Sequence, residues 1–140
     1  MLALNLVYDA LFGSEQLTQK LEDVRGTTDP LGGIYIGTPD FDNTTDADIV
    51  ALSPWIRITD LPGDETTDAD DDRFLEYPRV QVDFWCKNEL LPQASEIDTL
   101  ISKAMHAAGW ERVYHHSDVD HDTPQLRMVT AYFQSQGIPV

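Results

Sequence analysis

YPRVQVDFWCKNELLPQASEIDTLISKAMHAAGW, Tyr77 to Trp110, is the stretch whose reading decides the fold. In its first part Val80, Val82, Phe84 and Cys86 alternate with Arg79, Gln81, Asp83, Trp85 and Lys87. That period of two is the signature of a strand with one face on a core and one in water or against a partner. After Pro92, tolerated in a first helical turn because it lacks only an N–H that would be unpaired there, the period changes. Ile97, Leu100, Ile101, Ala104 and Ala108 recur at helical spacing and form one apolar stripe. Glu96 and Asp98 lie early and Lys103 and His106 late, which suits the helix dipole, and Gly109 supplies the stop. A half-buried strand and a one-sided helix satisfy each other by packing face to face.

Working outward, residues 1–25 read as helix in two pieces. Leu4, Val7, Tyr8 and Leu11 stripe the first, and Leu17, Leu21 and Val24 the second. Gly13 breaks them, Ser14 offers an N-cap and Gly26 ends the second. A short strand follows at Ile34–Ile36, and a second at residues 54–61, PWIRITDL, where Ile56 and Ile58 alternate with Trp55, Arg57 and Thr59. Beyond the helix, residues 110–116 and 126–134 read as two more strands. The last has apolar residues on both faces and so belongs inside a sheet. Residues 38–53 and 62–73 read as acidic loops, and 135–140 as a flexible C-terminal tail. The expectation is one α+β domain over residues 1–140. It has a mainly antiparallel sheet of four to five strands, an N-terminal helical segment and one amphipathic helix packed on the sheet.

Charge is the loudest property. Twenty-five acids against nine bases give a net charge of −16, which argues against a surface that grips nucleic acid by its phosphates. Asp dominates the acids and only Lys20, Lys87 and Lys103 are lysines. Self-repulsion on this scale destabilises a small domain at low ionic strength, whereas molar salt, with a Debye length of about 3 Å, screens most of it. The composition therefore suits a salt-loaded cytoplasm and a halophilic host. No apolar run is long enough for a membrane span, and the N-terminus lacks the basic start of a signal peptide. Cys86, the single cysteine, falls on the apolar strand face, where a structural thiol is expected.

The densest set of potential ligands is His115, His116, Asp118, Asp120, His121 and Asp122. Imidazole and carboxylate are ordinary ligands of divalent metals, so a small metal-dependent enzyme is one reading. Against it, Asp and Ser are favoured in turns for backbone reasons, and adjacent strand residues such as His115 and His116 point to opposite faces. Asp68–Asp72 and Asp118–Asp122 imitate the start of a calcium loop but lack its Gly at position 6 and Glu at position 12. No nucleophile elbow, phosphate-cradling loop or dinucleotide fingerprint is present. Neither catalytic residues nor a cofactor or metal site is therefore assigned. Trp55 and Trp85 lie on the polar faces of their strands beside Arg57 and Lys87, the composition of a protein–protein contact patch. The competing reading is that a helix or the N-terminal segment covers them within the monomer. With the acidic 62–73 segment, which would order on a partner or stay solvated, they give an interface set of Trp55, Arg57, Asp70, Asp71, Asp72, Arg73, Arg79, Trp85 and Lys87.

VRGTTDPLGGIYIGTP, PWIRITDL, YPRVQVDFWCKN, a helix of the form A-x-x-I-D-x-L-I-x-K-A and a closing LRMVTAYF together resemble the tail-completion or tail-terminator proteins of long-tailed viruses, the small head–tail joining group. Residues 1–136 fit the layout, and Tyr77 to Ala108 carries the match at motif level. The resemblance implies a homo-oligomeric ring, usually of six copies, assembled in the host cytoplasm and placed in the virion at the junction of tail and neck. It would contact itself, the tail tube protein and a neck connector or stopper protein, with DNA passing through an acidic lumen without specific binding and no membrane involved. The family offers no catalytic residues to carry over. A different neck component, itself a connector or stopper ring, fits the same architecture. The Asp-rich loops depart from typical members.

Overall fold

The strand that opens the sequence argument is longer than its apolar alternation. In the computed structural model, which describes residues 2–27, 33–37, 46–69 and 72–139, the elements run α1 (Ala3–Phe12), α2 (Glu15–Arg25), β1 (Ile34–Ile36), α3 (Asp46–Leu52), β2 (Trp55–Ala69), β3 (Asp72–Lys87), α4 (Leu91–Ala107), β4 (Trp110–Val119), β5 (Leu126–Ser135) and β6 (Ile138–Pro139). The sheet order is β1-β2-β3-β5-β4, with β6 beside β3. β1 runs parallel to β2, and every other pairing is antiparallel. This is the α+β architecture expected, with β5 inside the sheet between β3 and β4.

One face of the sheet carries the core. Ile56 and Ile58 of β2, Val80, Val82, Phe84 and Cys86 of β3, and Val129, Ala131 and Phe133 of β5 are all buried there. Against them lie Val7 and Leu11 of α1, Leu17 and Leu21 of α2, and Ile97, Ile101 and Met105 of α4. The helix ends follow the sequence: Ser14 Oγ accepts the Leu17 N–H at 3.4 Å, and Gly26 closes α2 at φ 84°, a value open to Gly without strain. A salt bridge from Lys20 to Glu96 links α2 to α4. Burial raises the Cys86 thiol above its ordinary pKa, which suits a packing residue and not a nucleophile.

Three segments depart from the sequence reading. Residues 62–73 are not a connector between short strands, because the β2–β3 ladder continues through Glu65–Tyr77 and Thr67–Leu75 to Ala69–Asp72, with register shifts after Leu61 and Thr67. Gly, Pro and Asp are depleted in ordinary strands, but a ribbon held by backbone hydrogen bonds beyond the core leaves no apolar alternation to read. β5 pairs with β3 only from Arg79 to Lys87, so residues 72–78 carry the arm about 23 Å past the end of β5 at the usual rise per residue, with β6 alongside it at Leu75 and Glu76. Of the expected loop at residues 38–53, residues 38–45 lie outside the described residues, and α3 occupies Asp46–Leu52. Finally, the C-terminal segment is not a free tail: Ile138 and Pro139 pair with Glu76 and Leu75 at the base of the arm.

Candidate assembly surfaces

The second face of the sheet holds most of the interface residues read from the sequence, and it corrects their exposure. Trp55 and Trp85 sit directly opposite each other across β2 and β3, and their rings stack with centroids 4.1 Å apart. Each is only 5% exposed. Leu126, Tyr35, Met128, Ile49 and Val50 pack around them, the last two from α3. The short helix missed by sequence reasoning is thus what covers the tryptophans within the monomer. Arg25 holds its end in place, donating Nε to the Leu52 carbonyl at 3.1 Å and Nη2 to the Pro54 carbonyl at 3.0 Å. The Trp85 indole N–H donates to Asp120 Oδ2 at 3.0 Å, tying the β4–β5 turn to the same cluster.

Beside the tryptophans lies a charge pair. Asp83 is fully buried; its Oδ2 accepts Arg57 Nη2 at 2.7 Å and Nε at 3.2 Å, and both carboxylate oxygens accept Gln81 Nε2 at 3.0 Å. The Arg57 guanidinium also lies 4.8 Å from the Trp85 ring centroid, within cation–π range. Arg57 is therefore engaged inside the monomer.

The nine sequence candidates do not form one patch. Trp55, Arg57 and Trp85 belong to the covered cluster. Arg79 is half-buried at the root of the arm, opposite Leu61 and Gln134, in a cleft it shares with Asp60, Glu76 and Ile138. Asp72 and Arg73 begin β3 at the far end of the arm, about 50 Å along the strand from Lys87. Asp70 and Asp71 lie outside the described residues.

The 115–122 cluster is dispersed. His115 Nε2 lies 3.0 Å from Asp98 Oδ1 on α4, while the His116 ring neighbours Tyr114 on the opposite face. Asp118 accepts the Val119 N–H and Asp120 the Asp122 N–H, as turn carboxylates do. Among the described residues no three His, Cys, Asp or Glu side chains converge as a metal site, and no helix is long and apolar enough to cross a membrane.

What the sequence reading did not single out is β4 as a surface. It ends the sheet beyond β5, and residues 111–118 are all exposed. Glu111, Arg112, His115, His116 and Asp118 leave neither face apolar, which was the available signal for a strand at a sheet edge.

Comparison with known proteins adds a fold and no family. No family model matches the chain, and no curated protein matches it. Among solved structures, a chain from the virion of a native gene transfer agent particle shares the fold with a TM-score of 0.62, covering 99% of this chain and 95% of that one. Their identity is 11%, so the likeness is one of architecture.

Proposed function

We propose that this chain is a structural protein of a virion, a tail terminator that closes into a homo-oligomeric ring at the junction of tail tube and neck. The observation that carries the reading is the end-to-end fold match to a chain of a gene transfer agent virion. The motifs of residues 77–108 point independently to long-tailed particles. The architecture also supports assembly over catalysis: a projecting ribbon at one side of the sheet, a strand that no described element covers at the other, and, among the described residues, the His and Asp side chains of 115–122 engaged in packing and turns.

In this reading the ring has six copies, meets the tube protein on one side and a connector or stopper protein on the other, and passes DNA through its lumen. A net charge of −16 per copy gives the lumen a wall that repels phosphates instead of holding them. The same charge opposes association of like copies unless salt screens it, so the ring belongs to a salt-loaded host.

Mass measurement of the purified protein in molar salt tests this. The expected result is one closed oligomer with a fixed copy number. A monomer at every concentration and salt, which also fails to join purified tail tubes or necks, contradicts the proposal. Crosslinking to portal in place of tube protein would move the chain to the connector or stopper position.

A further inference from the structure

In a chain with 25 acids and nine bases, a base without an acid stands out. Lys20, Arg57 and Arg112 each meet a carboxylate. Arg127 meets none among the described residues. Its Nη1 donates to Ser117 Oγ at 3.1 Å, and its Nε is buried without a partner. A buried N–H left unmatched keeps its desolvation cost, the more so on a charged group. An acceptor that reaches the guanidinium therefore gains more here than at an exposed arginine.

The surroundings of Arg127 are shaped for such an acceptor. It stands opposite Cys86 of β3 and Val119 of β4, on the side of the sheet that α4 covers. A groove of about 190 Å³ opens there, walled by Leu91, Ala94 and Val129 and lined on its polar side by His115, Ser117 and Arg127. Leu91 is 53% exposed, so the groove is accessible from outside. Leu91 and Ala94 belong to the first turn of α4, which has no side-chain cap and no acidic residue. The first N–H groups of a helix lack partners within it and carry the positive end of its dipole. The acid among the lining residues, Asp98, is already engaged by Arg112 Nη1 at 3.3 Å and by His115 Nε2 at 3.0 Å.

These features select the ligand class. Small volume and apolar walls suit one anionic group on a short aliphatic stem, and the unfilled edge of a guanidinium matches the planar fork of a carboxylate. A phosphate of a DNA backbone would bring more bulk and a second strand of charge against a surface of −16.

We propose that the α4–β4 groove seats an Asp or Glu side chain of a second copy of this chain, held by Arg127 beside the open first turn of α4. Each copy offers many acids and few unspent cations, so this is a point where two copies of one acidic protein are complementary in charge. Seat and acid are different surfaces, which makes the contact heterologous, as a closed ring requires. The inference rests on the ring reading and specifies one of its contacts.

Three substitutions test it, read by the oligomer dissociation constant at one fixed molar salt concentration. Arg127→Gln should leave the monomer folded by circular dichroism and weaken assembly roughly 10- to 100-fold, the range for a hydrogen bond to a charged group. Leu91→Glu places a carboxylate in the helix's first turn and fills the seat from within the same copy. It should leave Tm unchanged or higher and weaken assembly at least as much. Thr99→Glu adds the same charge to the same helix outside the groove and should assemble as the wild type does. A photo-crosslinking side chain at Ser95, on the groove's rim, should join copy to copy in the assembled protein.

Unchanged assembly of Arg127→Gln, or equal weakening by Leu91→Glu and Thr99→Glu, overturns the seat and leaves the ring standing. Crosslinks in purified particles that reach only other proteins overturn the second copy as the source of the carboxylate. Absence of any wild-type oligomer overturns both the ring and this contact.

Discussion

Trp85→Ala is expected to cost the folded monomer about 3–5 kcal/mol, the range for removing a large aromatic side chain from a packed site. The indole is stacked on Trp55, lies beneath the Arg57 guanidinium and donates to Asp120. Its loss leaves a hole between β2, β3 and α3 and frees the β4–β5 turn. In a domain of this size the change corresponds to a fall in Tm of roughly 10 °C or more. Denaturant unfolding of the monomer, at one fixed salt concentration, reads it directly. A loss below about 1 kcal/mol combined with a failure to assemble would show the opposite arrangement, an indole facing a partner and not α3.

Arg57→Ala is expected to cost about 3 kcal/mol, because it leaves a fully buried carboxylate without its principal cation. Gln81 alone does not replace a guanidinium that reaches Asp83 with two nitrogens. Arg57→Lys should recover only part of the loss, since a single ammonium cannot reproduce that fork. The informative comparison is the double substitution Arg57→Met with Asp83→Leu. Removing both charges together should destabilise less than either alone, since the cost lies in the orphaned partner and not in the missing attraction. Strictly additive losses would contradict the coupling.

These two predictions rest on what the sequence showed least clearly. The alternation of residues 79–87 and the stripe of residues 97–108 were enough to place the central strand, its helix and the core between them. Burial of apolar side chains imposes a period that any reader of the chain can see. The caps at Ser14 and Gly26 were legible for the same reason, each being a local backbone requirement met by a particular residue type. Trp55, Trp85 and Asp83 were not, because their face alternates correctly whether water or protein lies against it. What decides between those is α3, a helix of seven residues, too short to display a stripe and set in an acidic stretch that reads as loop. The arm was hidden differently: its ladder is satisfied by backbone groups that are the same in every residue type. The exposed edge of β4 depends on strand order, a property of the whole sheet that no local window contains.

The candidate surfaces divide along the same line. Residue type marked Trp55, Trp85 and Arg57 as contact material, and packing within the monomer took them up. The feature left for a partner among the described residues is the exposed strand β4 at the end of the sheet.

Imaging of purified particles with this chain labelled tests the central claim most directly. The account predicts a single closed ring of this protein per particle, where tail tube meets neck, surrounding a channel wide enough for DNA. Label scattered along the tail or on the capsid shell, or particles complete without the protein, would contradict it.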